Sequence, residues 1–481
     1  MKTLSGVDGT FLHLETPETP MHVGSLHLFD LPPGYRGTFH AAVKRQMKSR
    51  IRLAPVFTRK LATMPLQFAN PAWVDAGDID LDYHVQHIVL PAPGTQRQLE
   101  ESIAALHAEL LLRDRPLWRL YVLSGLESGQ AAYYVKVHHA VLDGQAGILL
   151  AQALFDVTAR GRRQPHGKPV PEEDPGSLAL AAAALRHDVG QYMKLLRNLP
   201  DVAKTLAGLV WPDQENKTGR LAQNLAFGPK TVLNVPITAA RGFAAVSIQV
   251  DVLKALATTH GVKLNDIVLA LCSGALRGYL AGHGGVPKKP LIAAMPISLR
   301  QPGNAEYTTQ ATLSLVNLST HVANPIKRLH AIAEAAGAMK ALARGAQRAI
   351  PTDFPSMGVP WILRGLASLY GLIGMPGDYP PIANLVISNV PGPPLALYAA
   401  GARMATYWPL SIVEHGLGLN ITVVSYAGAM GFGFTTARTA VPEAHALVAA
   451  LQAALAELQA ASRPLGAARP VRRRAAARAT A

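Results

Sequence analysis

Apolar and polar residues alternate over residues 22–29, the period of a strand with one buried face, and the spacing turns helical over residues 38–49. Residues 118–123 and 131–138 read as two strands of a hairpin, closed by the turn Glu127-Ser128-Gly129. A helix over residues 147–157 follows. It puts Ile148, Ala151 and Phe155 on one face, with Gln152 the polar exception beside them. From about residue 159 to residue 230 the composition shifts. Arg160, Arg162, Arg163 and Pro165 precede an acidic turn at Glu172, Glu173, Asp174 and Pro175, and residues 177–211 are rich in alanine and leucine. This predicts a linker carrying a helical crossover. Beyond residue 231 strands (246–250, 291–296, 385–388, 417–426, 430–437) alternate with helices (252–259, 264–281, 443–460), and an Ala427-Gly428 turn joins the last two strands. The pattern is mixed α/β. It predicts a first domain over residues 1–158, the linker 159–230, a second domain over 231–462 and a tail over 463–481.

Where the hairpin hands over to the helix, the chain reads Val137-His138-His139-Ala140-Val141-Leu142-Asp143-Gly144. A neutral imidazole at a strand end can take a proton from a hydroxyl or thiol near pH 7, which is what acyl transfer from a thioester to an alcohol requires. Adjacent residues of an extended chain point to opposite faces, so His138 and His139 do not easily share one metal ion, and Cys272 lies far away in sequence. Two readings stay open on spacing alone. Either one histidine is a buried structural residue and Asp143 caps the next helix, or one histidine is a general base, the other its partner and Asp143 organises the turn.

The chain has 481 residues, 49% of them hydrophobic, which is enough for two or three domains with sizeable cores. One cysteine excludes a disulfide framework and fits a reducing compartment. The first eight residues lack the apolar core of a signal peptide, and the closest approach to a membrane span, residues 359–366, is broken by Pro360 and Arg364. The expected location is the cytoplasm. A net charge of +15 points to an anionic partner. Part of the excess is in the tail, at Arg463, Arg469, Arg472, Arg473, Arg474 and Arg478. No aromatic residues interleave with these arginines, so nucleic acid is disfavoured. A negative membrane or lipid-droplet surface suits them better, at roughly 1 kcal/mol of attraction per basic residue. A solvated end without function is the plainer alternative.

Over nearly its whole length the chain resembles the bacterial wax ester synthase/acyl-CoA:diacylglycerol acyltransferase family. The resemblance rests on several short strings in order. It opens with Leu4-Ser5-Gly6-Val7-Asp8-Gly9-Thr10-Phe11-Leu12-His13-Leu14-Glu15 and Pro20-Met21-His22-Val23-Gly24, followed by Pro116-Leu117-Trp118 and the double histidine. Next come Asn265-Asp266-Ile267-Val268-Leu269-Ala270 and Met295-Pro296-Ile297-Ser298-Leu299-Arg300. Ser388-Asn389-Val390-Pro391-Gly392-Pro393 and Gly418-Leu419-Asn420-Ile421-Thr422 complete the set. The resemblance implies two chloramphenicol-acetyltransferase-like domains with an active-site tunnel between them. It also implies an acyl-CoA donor, a diacylglycerol or fatty-alcohol acceptor, no metal or prosthetic group, and His139 as the base.

With that family in view, His139, His138, Asp143 and Asn265 form the expected catalytic set. His138 shapes the site from the other face, Asp143 holds the loop with Arg300 a candidate partner, and Asn265 either donates to the oxyanion or caps a helix. Gly144, Trp118, Glu15 and Asp266 are placed on the substrate side. Gly144 provides room beside the tunnel, and Trp118 lines the acyl channel or a core strand. Asp266 sits near a positive helix end. Glu15 and Asp8 match the opening string without an assigned step. Residues 354–375, with Trp361, Leu366 and Tyr370, form either an acyl-binding helix pair or a buried helix. A condensation domain of peptide synthesis and a catalytically silent lipid-binding protein are the alternatives.

Overall fold

The computed structural model describes residues 2–62, 70–141, 146–161, 182, 227–298, 311–346 and 380–463. The first part runs β1 (Lys2–Thr3), α1 (Gly6–Leu14), β2 (His22–Asp30), α2 (Phe39–Arg50), β3 (Arg59–Ala62) and β4 (Ala72–Asp75). It continues through α3 (Leu81–His84), β5 (Val85–Val89), α4 (Gln96–Ala108), β6 (Trp118–Ser124), β7 (Ala131–His138) and α5 (Ala146–Leu154). The second part begins with β8 (Arg241–Gln249), α6 (Val250–His260), α7 (Leu264–Ala281), β9 (Ile292–Ser298), β10 (Ala311–Asn317) and α8 (Pro325–Ala346). After β11 (Leu385–Val390) come β12 (Tyr398–Ala399), β13 (Ala402–Met404), β14 (Trp408–Leu410), β15 (Leu419–Tyr426), β16 (Ala429–Ala437) and α9 (His445–Ala461).

Two large sheets result. The first has the order β12-β13-β2-β7-β6-β5, with β14 also on β2, and the second β10-β9-β11-β15-β16-β8. Strand β7 is central, and all eight of its residues are buried. Its alternation sorts them into two layers. Tyr133, Val135 and Val137 pack with Trp118, Phe29 and the α2 residues Val43 and Met47, while Ala132 and Tyr134 pack with Leu99 and Ile103 of α4. Helix α4 starts on a capping box, in which Thr95 and Gln98 satisfy each other's backbone N–H.

The hairpin and α7 fall where the hydrophobic period predicts them. Strand β8 starts five residues earlier than the alternation predicts, because Arg241–Ala245 is continuously buried and offers no period to read. The buried carboxylate of Glu100 on α4 accepts the Ala245 N–H at 3.0 Å and faces His445 Nε2 at 3.0 Å, joining the two halves.

One feature of the topology has no counterpart in the sequence pattern. Residues 398–410 lie within the second predicted domain, yet their strands join the first sheet: Met404 pairs with Phe29 and Trp408 with Leu26. On the other side, the backbone of this crossing segment lies directly on β16. A methyl group on Gly431 or Gly433 would run into the Tyr407 or Pro409 carbonyl oxygen. The predicted elements at residues 177–211, apart from residue 182, and at 354–375, and the tail beyond Arg463, lie outside the described residues.

Candidate active site

The site forms where β7 ends. His138 is its last residue, and His139–Val141 make a short 3-10 turn. The two imidazoles part company here. His138 is fully buried, whereas His139 keeps part of its surface open. The backbone around them is tied down, since His139 N–H donates to the Met21 carbonyl at 2.8 Å and Ala140 N–H donates to His138 Nδ1 at 3.1 Å. Because an amide N–H only donates, His138 Nδ1 is the lone-pair nitrogen and Nε2 carries the proton.

That Nε2 faces Glu15 Oε1 at 3.2 Å. His22, opposite His138 across the strand pair, places its own Nε2 at 3.2 Å from the same oxygen, and Met21 N–H donates to it at 3.1 Å. Glu15 Oε2 takes the Arg113 guanidinium at 2.8 Å. Burial alone would push the Glu15 carboxyl up, but the His138 and His22 contacts outweigh it and hold the group well below the usual carboxylate range. His22 goes the other way, driven down to about 4 by burial against the pull of Glu15.

His139 is lowered to about 4, first by desolvation and then by the nearby His138, so its imidazole is neutral at pH 7. Its ring stacks on Phe11 with centroids 3.9 Å apart and planes 20° apart. Among the described residues its Nδ1 has no hydrogen-bond partner. Helix α1 brings these parts together. Ser5 caps its start by accepting the Asp8 N–H and donating its hydroxyl to the Asp8 carboxylate. Phe11 and Glu15, four residues apart, then lie on one side, against His139 and His138 respectively.

Behind the histidines the polar network continues. His107 on α4 donates from Nε2 to the Ser411 carbonyl at 3.1 Å and accepts the Tyr134 hydroxyl proton at Nδ1 across 2.7 Å. Lys136, buried on β7, donates to the Leu106 and Glu109 carbonyls at the end of α4. Burial lowers its ammonium to about 7.

The other predicted site residues fall in different places. Trp118 is wholly buried in the core on the far face of the sheet. Its indole N–H donates to the Phe57 carbonyl at 3.2 Å, and its ring stacks on His84 at 4.3 Å. Asn265 is the second residue of α7, not its cap; that position belongs to Lys263. Its amide oxygen accepts from Asn389 Nδ2 at 3.0 Å, which joins two of the motifs quoted above. The Asp266 carboxylate accepts the Lys263 N–H at 2.9 Å and so closes the start of α7. Cys272 is buried within α7, and burial pushes its thiol up to about 12, which leaves it inert. Asp143, Gly144 and Arg300 lie outside the described residues. Among the described residues no group of three His, Cys, Asp or Glu side chains is arranged to hold a metal ion, and no helix is long and apolar enough to cross a membrane.

His22, Phe11, Arg113 and Asn389 were missed as site residues. The quoted motifs include three of them, but their partners lie 7 to 128 positions away and nothing in the local pattern indicates the pairing.

The fold places this chain in a two-sheet α/β class, with a double histidine where the central strand of the first sheet ends. The model of the wax ester synthase/diacylglycerol acyltransferase catalytic domain matches residues 4–268, and that of the family's C-terminal domain matches residues 309–459. The chain is 34% identical over 466 residues to the O-acyltransferase WSD of Acinetobacter baylyi, covering 94% of this chain and 96% of that one. It is 35% identical over 466 residues to a probable diacylglycerol O-acyltransferase of Mycobacterium tuberculosis, covering 94% and 97%. The solved wax ester synthase/diacylglycerol acyltransferase from Marinobacter aquaeolei VT8 matches 96% of this chain and all of that one, with 28% identity and a TM-score of 0.69. A condensation domain of the calcium-dependent antibiotic synthetase shares the fold alone, at 15% identity and a TM-score of 0.55. The chain belongs to the wax ester synthase/diacylglycerol acyltransferase family and is an O-acyltransferase, acting on an acyl donor and an acyl acceptor.

Proposed function

We propose that this enzyme moves a long-chain fatty acyl group from acyl-CoA to diacylglycerol or a long-chain fatty alcohol, yielding triacylglycerol or wax ester, with His139 as general base. The observation that carries the reading is the neutral imidazole of His139, a residue that keeps part of its surface open, held by its backbone and stacked on Phe11. The substrate classes rest on the names of the relatives at 34% and 35% identity.

In this reading His139 accepts the acceptor's hydroxyl proton as that oxygen attacks the thioester carbonyl. The tetrahedral intermediate collapses with cleavage of the C–S bond, and the imidazolium returns its proton to the departing coenzyme A sulfur. Both substrates meet in a tunnel between the halves, so no acyl-enzyme, metal or prosthetic group takes part. Asn265 is the oxyanion donor: its oxygen is occupied by Asn389, which leaves its NH2 to donate. Asp143 and Gly144 shape the loop. The enzyme works in the cytoplasm, and its arginine-rich tail docks it to an anionic membrane or droplet surface.

Purified protein with labelled palmitoyl-CoA and competing hexadecanol and diacylglycerol tests the reaction. Labelled ester is expected, and free fatty acid alone would sink it. His139→Ala is expected to abolish ester formation with the fold retained, and turnover in that variant removes the base assignment. Flotation of full-length and tail-deleted protein with anionic liposomes tests the docking; equal binding removes the tail from it.

A further inference from the structure

We propose that Glu15 is a positioning residue for the acyl transfer, acting as a buried clamp on the backbone that carries His139. The proposal rests on the reading of His139 as the base. Two arms leave the same carboxylate oxygen. In one, Glu15 Oε1 accepts the Met21 N–H at 3.1 Å, and the Met21 carbonyl accepts the His139 N–H at 2.8 Å. In the other, Glu15 Oε1 faces His138 Nε2 at 3.2 Å, and His138 Nδ1 accepts the Ala140 N–H at 3.1 Å. The two consecutive peptide N–H groups of residues 139 and 140 are therefore both held by groups that Glu15 anchors.

The chemistry of the group explains why a carboxylate stands there. Ionised, it only accepts, so the nitrogens of His22 and His138 that face it must carry protons. That leaves His138 Nδ1 unprotonated, the state the Ala140 N–H requires. Arg113 balances the charge from the other oxygen while also donating to the Leu12 carbonyl at the end of α1. The arrangement differs from a serine-protease triad, in which a carboxylate binds the ring of the base itself. Here the carboxylate grips the main chain on either side of the base, and Phe11 stacking orients the ring.

Misplacing a catalytic group by about 1 Å costs on the order of 10²-fold in rate. Steady-state kinetics on the full chain should therefore show Glu15→Ala losing about 10²-fold in kcat, with KM for both substrates nearly unchanged. Glu15→Gln keeps an accepting oxygen for Met21 and His138 but loses the acceptor for Arg113, so its kcat should recover only in part, to about three- to tenfold below wild type. Asp156→Asn is the control for general destabilisation, since it weakens the buried Arg50–Asp156 pair away from the site. It should lower Tm while kcat stays at the wild-type value. The clamp is overturned by a wild-type kcat in Glu15→Ala, or by an equal kcat loss in Asp156→Asn. If Glu15→Ala does not fold, Glu15→Gln decides. A three- to tenfold kcat loss at constant KM supports the clamp, and no loss overturns it. His139→Ala runs alongside: turnover there removes the base reading itself, whereas a dead His139→Ala beside a wild-type Glu15→Ala removes only the clamp.

Discussion

The halves of this molecule are each a central sheet with helices on it, yet they bury different chemistry. The first half encloses His22, His27, His84, His107 and His138 together with Glu15, Glu100 and Lys136. Among the described residues of the second half the buried polar groups are amides, hydroxyls, Arg241, Arg328, Asp266 and the Glu414 carboxyl, which burial pushes up, with no buried histidine. The amides there serve the backbone. Asn384 accepts the Ile292 N–H and donates to the Pro229 carbonyl and to Asn234, whose own amide donates to the Gly416 carbonyl. Such groups satisfy buried chain without changing charge near neutral pH. Imidazoles hold a proton on one nitrogen and offer a lone pair on the other. The difference teaches that, among the described residues, the buried imidazoles gather in the first half, while the second supplies the strands that cross back onto β2.

Breaking each half should therefore fail in a different way. His139→Ala is expected to abolish ester formation, a kcat loss of about 10³-fold or more, with an unchanged melting curve. Asn384→Ala should do the reverse, costing about 2–3 kcal/mol by stranding the Ile292 N–H, with kcat per folded molecule retained. A large kcat loss in Asn384→Ala at full folding would erase the contrast.

Acid sharpens the comparison next. His22, His84 and His139 are lowered to about 4 and His27 to about 3, with burial the main cause in each. Because the folded values lie below the ordinary 6.5, the unfolded chain binds these protons first. Stability is full above pH 6.5 and is lost as pH falls from 6.5 towards 4, by up to about 1.4 kcal/mol per pH unit for each histidine. Hydrogen exchange should show the first half losing protection before the second as pH drops. Equal loss in both halves, or a Tm flat from 6.5 to 4.5, would count against it.

The smallest effect is expected at the seam. Gly433→Ala forces a methyl against the Pro409 carbonyl and should cost about 1–3 kcal/mol, read as a lowered Tm. An unchanged Tm would mean that the crossing segment is free to shift.

Legibility in the sequence followed the range of the interactions. The strand ending in His138 is readable because its apolar run is closed by a turn at one end and a helix start at the other. Helix α7 is buried without interruption from Asp266 to Leu276, and it is readable because its apolar run is too long for a strand and stops at Gly282. The strands at 398–410 are not: they are two to three residues each, include Pro409, and two of them, β13 and β14, pair with β2 from more than 370 positions away. The site divides the same way. His139 stands out by type and position, and the opposite aim of His138 follows from strand alternation. Glu15 and His22 sit inside recognisable strings, but their meeting at one oxygen depends on how α1 lies against the end of β7.

By itself the sequence determined the mixed α/β class, the strand-to-helix handover and the residue type suited to move a proton, because each is written in local period and residue chemistry, and its ordered motif strings carried the resemblance to the family. Tertiary structure alone decided that His139 stays partly open while His138 is sealed against Glu15, that Trp118 is core, and that residues 398–410 belong to the first sheet. Those outcomes depend on burial and on hydrogen bonds between distant segments, and neither is fixed until the layers close on each other.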